Sequence, residues 1–165
     1  MNNQPTAVKI KLVSTLAQKT IPLPSYATAG AAAMDLHACC DGPIVIPAGS
    51  RGKIPTGIAI ELPTPELVAL VFPRSGLASK HGIALSNAVG VIDSDYRGEI
   101  ICLVKNDGDA DFTVRPGDRV AQIGFFPIHR VVWEESEELE ASDRGTGGFG
   151  STGISQASSR RGEGQ

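Results

Sequence analysis

Apolar and polar residues alternate along most of this chain with the period of two that half-buried strands require. "VKIKLVS" (8–14) shows the pattern first. It returns in "PIVIP" (43–47), "GIAIEL" (57–62), "LVALVF" (67–72), "GIALSNAVGVID" (82–93), "EIICLVKN" (99–106), "FTVRPGDRVAQIGFFPI" (112–128) and "RVVWEE" (130–135). Turns rich in Pro, Gly, Asn and Asp separate the runs, as in "PAGSRGKIPTG", "KNDGDADF" and "RPGDR". Eleven prolines leave few windows for a helix, and the one helical turn the pattern predicts is "RSGLASKHG" (74–82). Many short strands punctuated this way predict an all-β fold, a jelly-roll-like β-sandwich or barrel with at most one short helix.

The alternation stops near Glu134. "EESEELEASD" (134–143) holds six acids and no base, and Gly and Ser dominate from there to Gln165. The expected organisation is a β body over 1–133, an acidic linker over 134–143, a flexible glycine-rich arm over 144–153 and a disordered tail over 154–165. A chain of 165 residues suits one domain with a sizeable core.

Charge and composition narrow the partners. A formal net charge of −3 argues against general nucleic-acid binding, which calls for a basic surface. No apolar run reaches the length of a membrane span, and "MNNQPTAVKIKLVS" has no apolar signal-peptide region. Neither nucleic acid nor membrane is an expected partner. Three cysteines, two of them adjacent (Cys39, Cys40 and Cys102), make a poor disulfide framework and read as buried free thiols in a reducing cytoplasm. His37, His81 and His129 lack metal-ligand spacing with one another or with the cysteines.

Candidate chemistry lies in five segments. "RGTGGFGSTG" (144–153) lacks the lysine of a P-loop. Its Arg144, Phe149, Ser151 and Thr152 fit either a solvated tail or an arm that closes on a phosphorylated ligand. "PRSGLASKHGI" (73–83) sets Arg74, Ser75 and Gly76 at the start of a helical turn, where unpaired amides favour anions. "SNAVGVIDSDYRGEI" (86–100) places Asp93 and Asp95 at a turn between two apolar strands, as turn formers or with one as a general base. Gln122 in "RVAQIGFFPI" and Asp35 in "AAAMDLHA" are polar groups in apolar strands and must find partners.

In this order, "MDL", "PRSGL", "GVIDSDYRGE", "RVAQI" and "RGTGGFGSTG" resemble the five motifs of the trimeric dUTPases, over residues 8 to 153. The resemblance implies hydrolysis of dUTP to dUMP and pyrophosphate. That reaction limits uracil incorporation into DNA and supplies dUMP for thymidylate synthesis. Asp93 matches the acid that activates the water attacking the α-phosphorus. Asp35 matches the acid that organises a Mg²⁺-bound triphosphate through water. Arg74, Ser75, Gly76 and Gln122 would hold phosphates. Asn87, Gly90, Val91 and Ile92 would line a uracil-binding hairpin, with Ile101 nearby and Tyr96 against the deoxyribose. Phe149 would cap the base while Arg144, Gly150, Ser151 and Thr152 close on the phosphates. A homotrimer with active sites shared between subunits is implied too. Met34 stands where the family often has an aromatic. Two other classes fit parts of the pattern. One is a dCTP deaminase, similar in fold but without such an arm; the other is a non-enzymatic β-sandwich interaction module.

Overall fold

The structure is a computed structural model and describes residues 5–147. The chain divides into two units, Met1–Arg130 and Val131–Gln165. The first holds all the regular elements among the described residues. In order they are β1 (Lys9–Leu12), α1 (Thr15–Thr20), β2 (Met34–His37), β3 (Ile44–Ile46), β4 (Arg51–Pro55), β5 (Ile58–Glu61), β6 (Leu67–Phe72), α2 (Ser75–His81), β7 (Ile83–Leu85), β8 (Gly90–Ile92), β9 (Ile101–Asn106), β10 (Phe112–Val114) and β11 (Arg119–Pro127). The strands make sheets of order β2-β11-β6-β8 and β4-β9-β7, with the pairs β1-β5 and β10-β3, all antiparallel.

This is the expected all-β, jelly-roll-like sandwich. Inward residues of both larger sheets, among them Leu36, Ile54, Val71, Val104, Ala121 and Ile123, share one core. Each fully buried aliphatic of this kind contributes about 1.5–3 kcal/mol. Asn106 is buried within it yet satisfied, since its amide donates to the Ile46 and Ala110 carbonyls and accepts from the Gly108 N–H.

Two local expectations need correction. Two short helices are present among the described residues, not one at most. Ser14 caps α1 by accepting from the Leu16 and Ala17 N–H groups, a start signal easily overlooked before only six helical residues. Within "GIALSNAVGVID" the two strands part, β7 pairing with β9 and β8 with β6 in the other sheet. "RVVWEE" forms no strand, since a strand exists only through its neighbour and none of the described strands pairs with it.

Candidate functional site

Polar groups gather first at the end of the sheet where β2, β11 and β6 meet. Gln122 on β11 pairs with Asp35 on one side and with Phe72 on the other, so the three stand in one row. Past Phe72 the chain turns into α2, whose N-cap Arg74 makes no side-chain cap bond. Together Asp35, Phe72, Arg74, Ser75, Gly76 and Gln122 line a cavity of about 580 Å³. The Gln122 amide finds its partner by donating to the Pro73 carbonyl at 3.0 Å. Phe72 and Phe126 meet edge to face at 5.9 Å in its apolar wall.

Asp35 is gripped from both sides. Arg74 Nε donates to its Oδ1 at 2.8 Å, and Arg119 Nη1 donates to its Oδ2 at 3.2 Å. Sequence reasoning missed Arg119, for a definite reason. Arg119 and Gln122 lie three apart, which in a regular strand puts them on opposite faces. A β-bulge between Arg119 and Ala121 brings Arg119 opposite His37, on the same face as Asp35. His37 itself is held below its ordinary pKa, chiefly by burial; Asp35 opposes that and the two arginines add to it. Its Nδ1 is buried and has no hydrogen-bond partner among the described residues.

A second group surrounds the segment after β8. Tyr96 N–H donates to the Asp93 carbonyl at 3.1 Å and closes a turn that leaves both side chains exposed. Arg97 braces it, donating to the carbonyls of Ser94 and Tyr96 at 2.8 and 3.0 Å. Val91, Ile92, Asp93, Tyr96 and Ile101 line a cavity of about 280 Å³, joined there by Lys53 and Glu99. Gly90 lies against β6, where a Cβ would come 3.2 Å from Val71 Cβ, and Asn87 is beside it.

These groups stand at opposite edges of one sheet. Three strand spacings separate β2 from β8, about 14 Å. The pairing of Val71 with Gly90 sets Phe72, and with it Asp35, level with residue 89, four residues short of Asp93. That adds about 13 Å along the strand, so Asp35 and Asp93 lie roughly 20 Å apart in one chain.

The dUTPase family model matches residues 19–153. The chain belongs to the dUTPase family, the dUTP diphosphatases. Deoxyuridine 5'-triphosphate nucleotidohydrolase of Desulfitobacterium hafniense is 51% identical over 149 residues, covering 90% of this chain and 99% of that protein. The enzyme of the same name from Escherichia coli O7:K1 is 45% identical over 146 residues, 88% of this chain and 97% of that protein. Among solved structures, a mutant dUTPase of Staphylococcus bacteriophage 80alpha with dUpNHpp has the same fold, at a TM-score of 0.79 and 24% identity, over 90% of this chain and 99% of that one. A mutant dUTPase of phage phi11 of S. aureus, described for its structural Mg(II) ion, matches at a TM-score of 0.70 and 22% identity, over 82% and 99%.

The second unit of this dUTPase family member is described only to residue 147, so Phe149, Gly150, Ser151 and Thr152 lie outside the described residues. Arg144 is exposed, and its Nε donates to the Gly147 carbonyl at 2.9 Å. Gly145, with φ at +50°, sits inside that turn. Val131, Val132 and Trp133 are 75–96% exposed, an unusual display for three consecutive large apolar residues.

Among the described residues no group of three or more His, Cys, Asp or Glu side chains could hold a metal. Both Asp35 oxygens already accept from arginines. A carboxylate so occupied is compatible with meeting a triphosphate-borne ion through water. All three cysteines are free and buried, and burial pushes the Cys102 thiol up to about 12.

Proposed function

We propose that this chain hydrolyses dUTP to dUMP and pyrophosphate in a homotrimer whose active sites are shared between subunits. What carries the sharing is the placement of the Asp35 and Asp93 groups at opposite edges of one sheet, roughly 20 Å apart by strand spacing. No single triphosphate can have its α-phosphorus beside Asp93 and its outer phosphates on Arg74, Ser75, Gly76 and Gln122 of the same chain. Copies related by symmetry supply the two halves to one another.

In that site Asp93 takes the proton of a water attacking the α-phosphorus. The P–O bond to the β-phosphate breaks, and pyrophosphate leaves with the electron pair. Asp35 would meet a triphosphate-bound Mg²⁺ through water, and the ion would neutralise part of the phosphate charge. Asn87 and the backbone of Gly90, Val91 and Ile92 read uracil, with Ile101 beside them. Cytosine reverses the donor and acceptor at two positions. At about 1–3 kcal/mol for each unpaired group, it is rejected by roughly 1.5–4 orders of magnitude. Tyr96 against the sugar leaves no room for a 2′-hydroxyl. Phe149 covers the base, and Arg144, Gly150, Ser151 and Thr152 close on the β- and γ-phosphates. The glycine-rich arm is residues 144–153, joined to the body over 1–133 by the acidic linker 134–143 and followed by residues 154–165. The buried free thiols suit a reducing cytoplasm. There the reaction keeps uracil out of DNA and supplies dUMP for thymidylate synthesis.

Two assays test this. Incubation with dUTP and Mg²⁺ yields pyrophosphate; its absence overturns the activity. Truncation after Glu140 costs activity on the order of 10³–10⁵, and Asp93→Asn is nearly inactive as well. Refolding the two together restores activity, because mixed trimers contain sites with an intact Asp93 and a neighbour's arm. No recovery in mixed trimers of confirmed mass overturns the shared site.

A further inference from the structure

We infer that Glu99 is a positioning residue that sets the sugar selectivity of the site by fixing Tyr96. The inference rests on the reading of Tyr96 as the group against the deoxyribose. "RGE" (97–99) completes the motif that carries Asp93 and Tyr96, and Glu99 itself has no role in the reading above.

The carboxylate of Glu99 reaches back across 42 residues, where its Oε1 accepts the Gly57 N–H at 2.7 Å. The turn between β4 and β5 that bears this N–H is closely packed. Gly57 has φ at +71°, and a Cβ there would lie 2.6 Å from both Ala17 Cβ and Cys39 Sγ. Two further bonds stitch the next residue to the same turn. The buried Thr56 hydroxyl donates to the Ile100 carbonyl at 2.5 Å, and the Ile100 N–H donates to the Ile58 carbonyl at 2.9 Å. Residues 99 and 100 are thereby fixed to the body.

Tyr96 leans on that fixed point. Its hydroxyl donates to the Glu99 carbonyl at 3.0 Å, and its ring lies over Gly98, where a Cβ would come 2.4 Å from the phenolic oxygen. The ring is 44% exposed, so packing alone holds it weakly. Its direction depends on the tether, and the tether depends on the Glu99 anchor. Among the described residues Glu99 makes no salt bridge. It acts as an oxygen acceptor for a backbone N–H, which an amide side chain can do equally well.

The test compares kcat/KM for dUTP and UTP in the full-length protein. Glu99→Ala shrinks the dUTP:UTP preference by about tenfold, the equivalent of one lost hydrogen bond. Glu99→Gln restores the wild-type ratio, and Tyr96→Phe, which cuts the tether but keeps the ring, shifts it in the same direction as Glu99→Ala. A merely structural loss would lower both nucleotides alike and leave the ratio unmoved. Tyr96→Ala separates the two layers. If it shrinks the preference while Glu99→Ala does not, the Glu99 role is overturned and the Tyr96 reading stands; if Tyr96→Ala leaves the ratio unchanged, that reading falls and takes the inference with it. Glu99→Gln behaving like Glu99→Ala also overturns the anchor. Should Glu99→Ala not fold, Tyr96→Phe decides, and an unchanged ratio there overturns the tether.

Discussion

The two cavities of this dUTPase family member are built by different physics. The one beside α2 is made of charge: Asp35 is clamped between Arg74 and Arg119 on a continuous sheet. The one after β8 is made of backbone: a turn at Asp93–Tyr96, braced by main-chain acceptors and pressed against glycines. Charge suits an anionic ligand, because guanidinium groups can be oriented in advance by a carboxylate. Backbone suits a neutral ring, because fixed N–H and C=O groups can distinguish donor from acceptor without a mobile side chain.

The sharpest way to separate the two is Asp93→Asn. It keeps the size and turn preference of the residue but cannot take a proton. Turnover falls by about 10²–10⁴ while dUTP still binds, as calorimetry would show. More than a tenth of wild-type turnover would remove Asp93 from the role of base.

A smaller loss is expected at the charged cavity. Asp35→Ala leaves two guanidinium groups facing each other without their counterion, so Arg74 loses its aim. Losing a charge-assisted bond of about 1.5–3 kcal/mol corresponds to about 10–100-fold in kcat/KM. The loss appears mainly in KM, measured by steady-state kinetics at two salt concentrations. An unchanged KM would mean that the clamp does not orient Arg74 for phosphate.

Glycines give a milder contrast. Among the described residues a Cβ at Gly76 meets nothing within 4 Å, whereas at Gly98 it meets the Tyr96 ring. Gly76→Ala therefore keeps the melting temperature and raises KM for dUTP a few-fold by narrowing the cavity beside α2. Gly98→Ala also folds, since an exposed ring can swing aside, but it weakens discrimination against UTP. Equal effects of both on UTP discrimination would erase the distinction between the cavities.

The smallest effect concerns pH. His37 titrates below its ordinary value of 6.5 in the folded protein, chiefly because partial burial desolvates it. As pH falls through 6.5 the unfolded chain takes up this proton before the folded one does. Stability therefore declines with falling pH until the folded-state pKa is reached. Denaturant melts between pH 7 and 5 should show a shallower decline in His37→Gln; an identical decline would exclude His37 as a contributor.

Much of the molecule is legible in its amino-acid sequence alone. Period-two alternation marks strand after strand, and the turn residues between them mark where each stops. Locally encoded chemistry is legible as well. The turn from Asp93 to Tyr96 and the start of α2 at Ser75 each lie within a few consecutive residues, so sequence spacing alone brings their groups together. Alternation says which side chains face inward, but not which strand lies alongside. For that reason it does not reveal the separation of β7 and β8 into different sheets, nor the lack of a described partner strand for "RVVWEE". Only the tertiary structure places Arg119 beside Asp35, because the bulge before Ala121 inserts one residue that the local pattern does not show. Only it joins Glu99 to Gly57. Such pairs are decided where the sheets pack and the chain's backbone groups must find partners, a condition on the whole core and not on any one stretch of sequence.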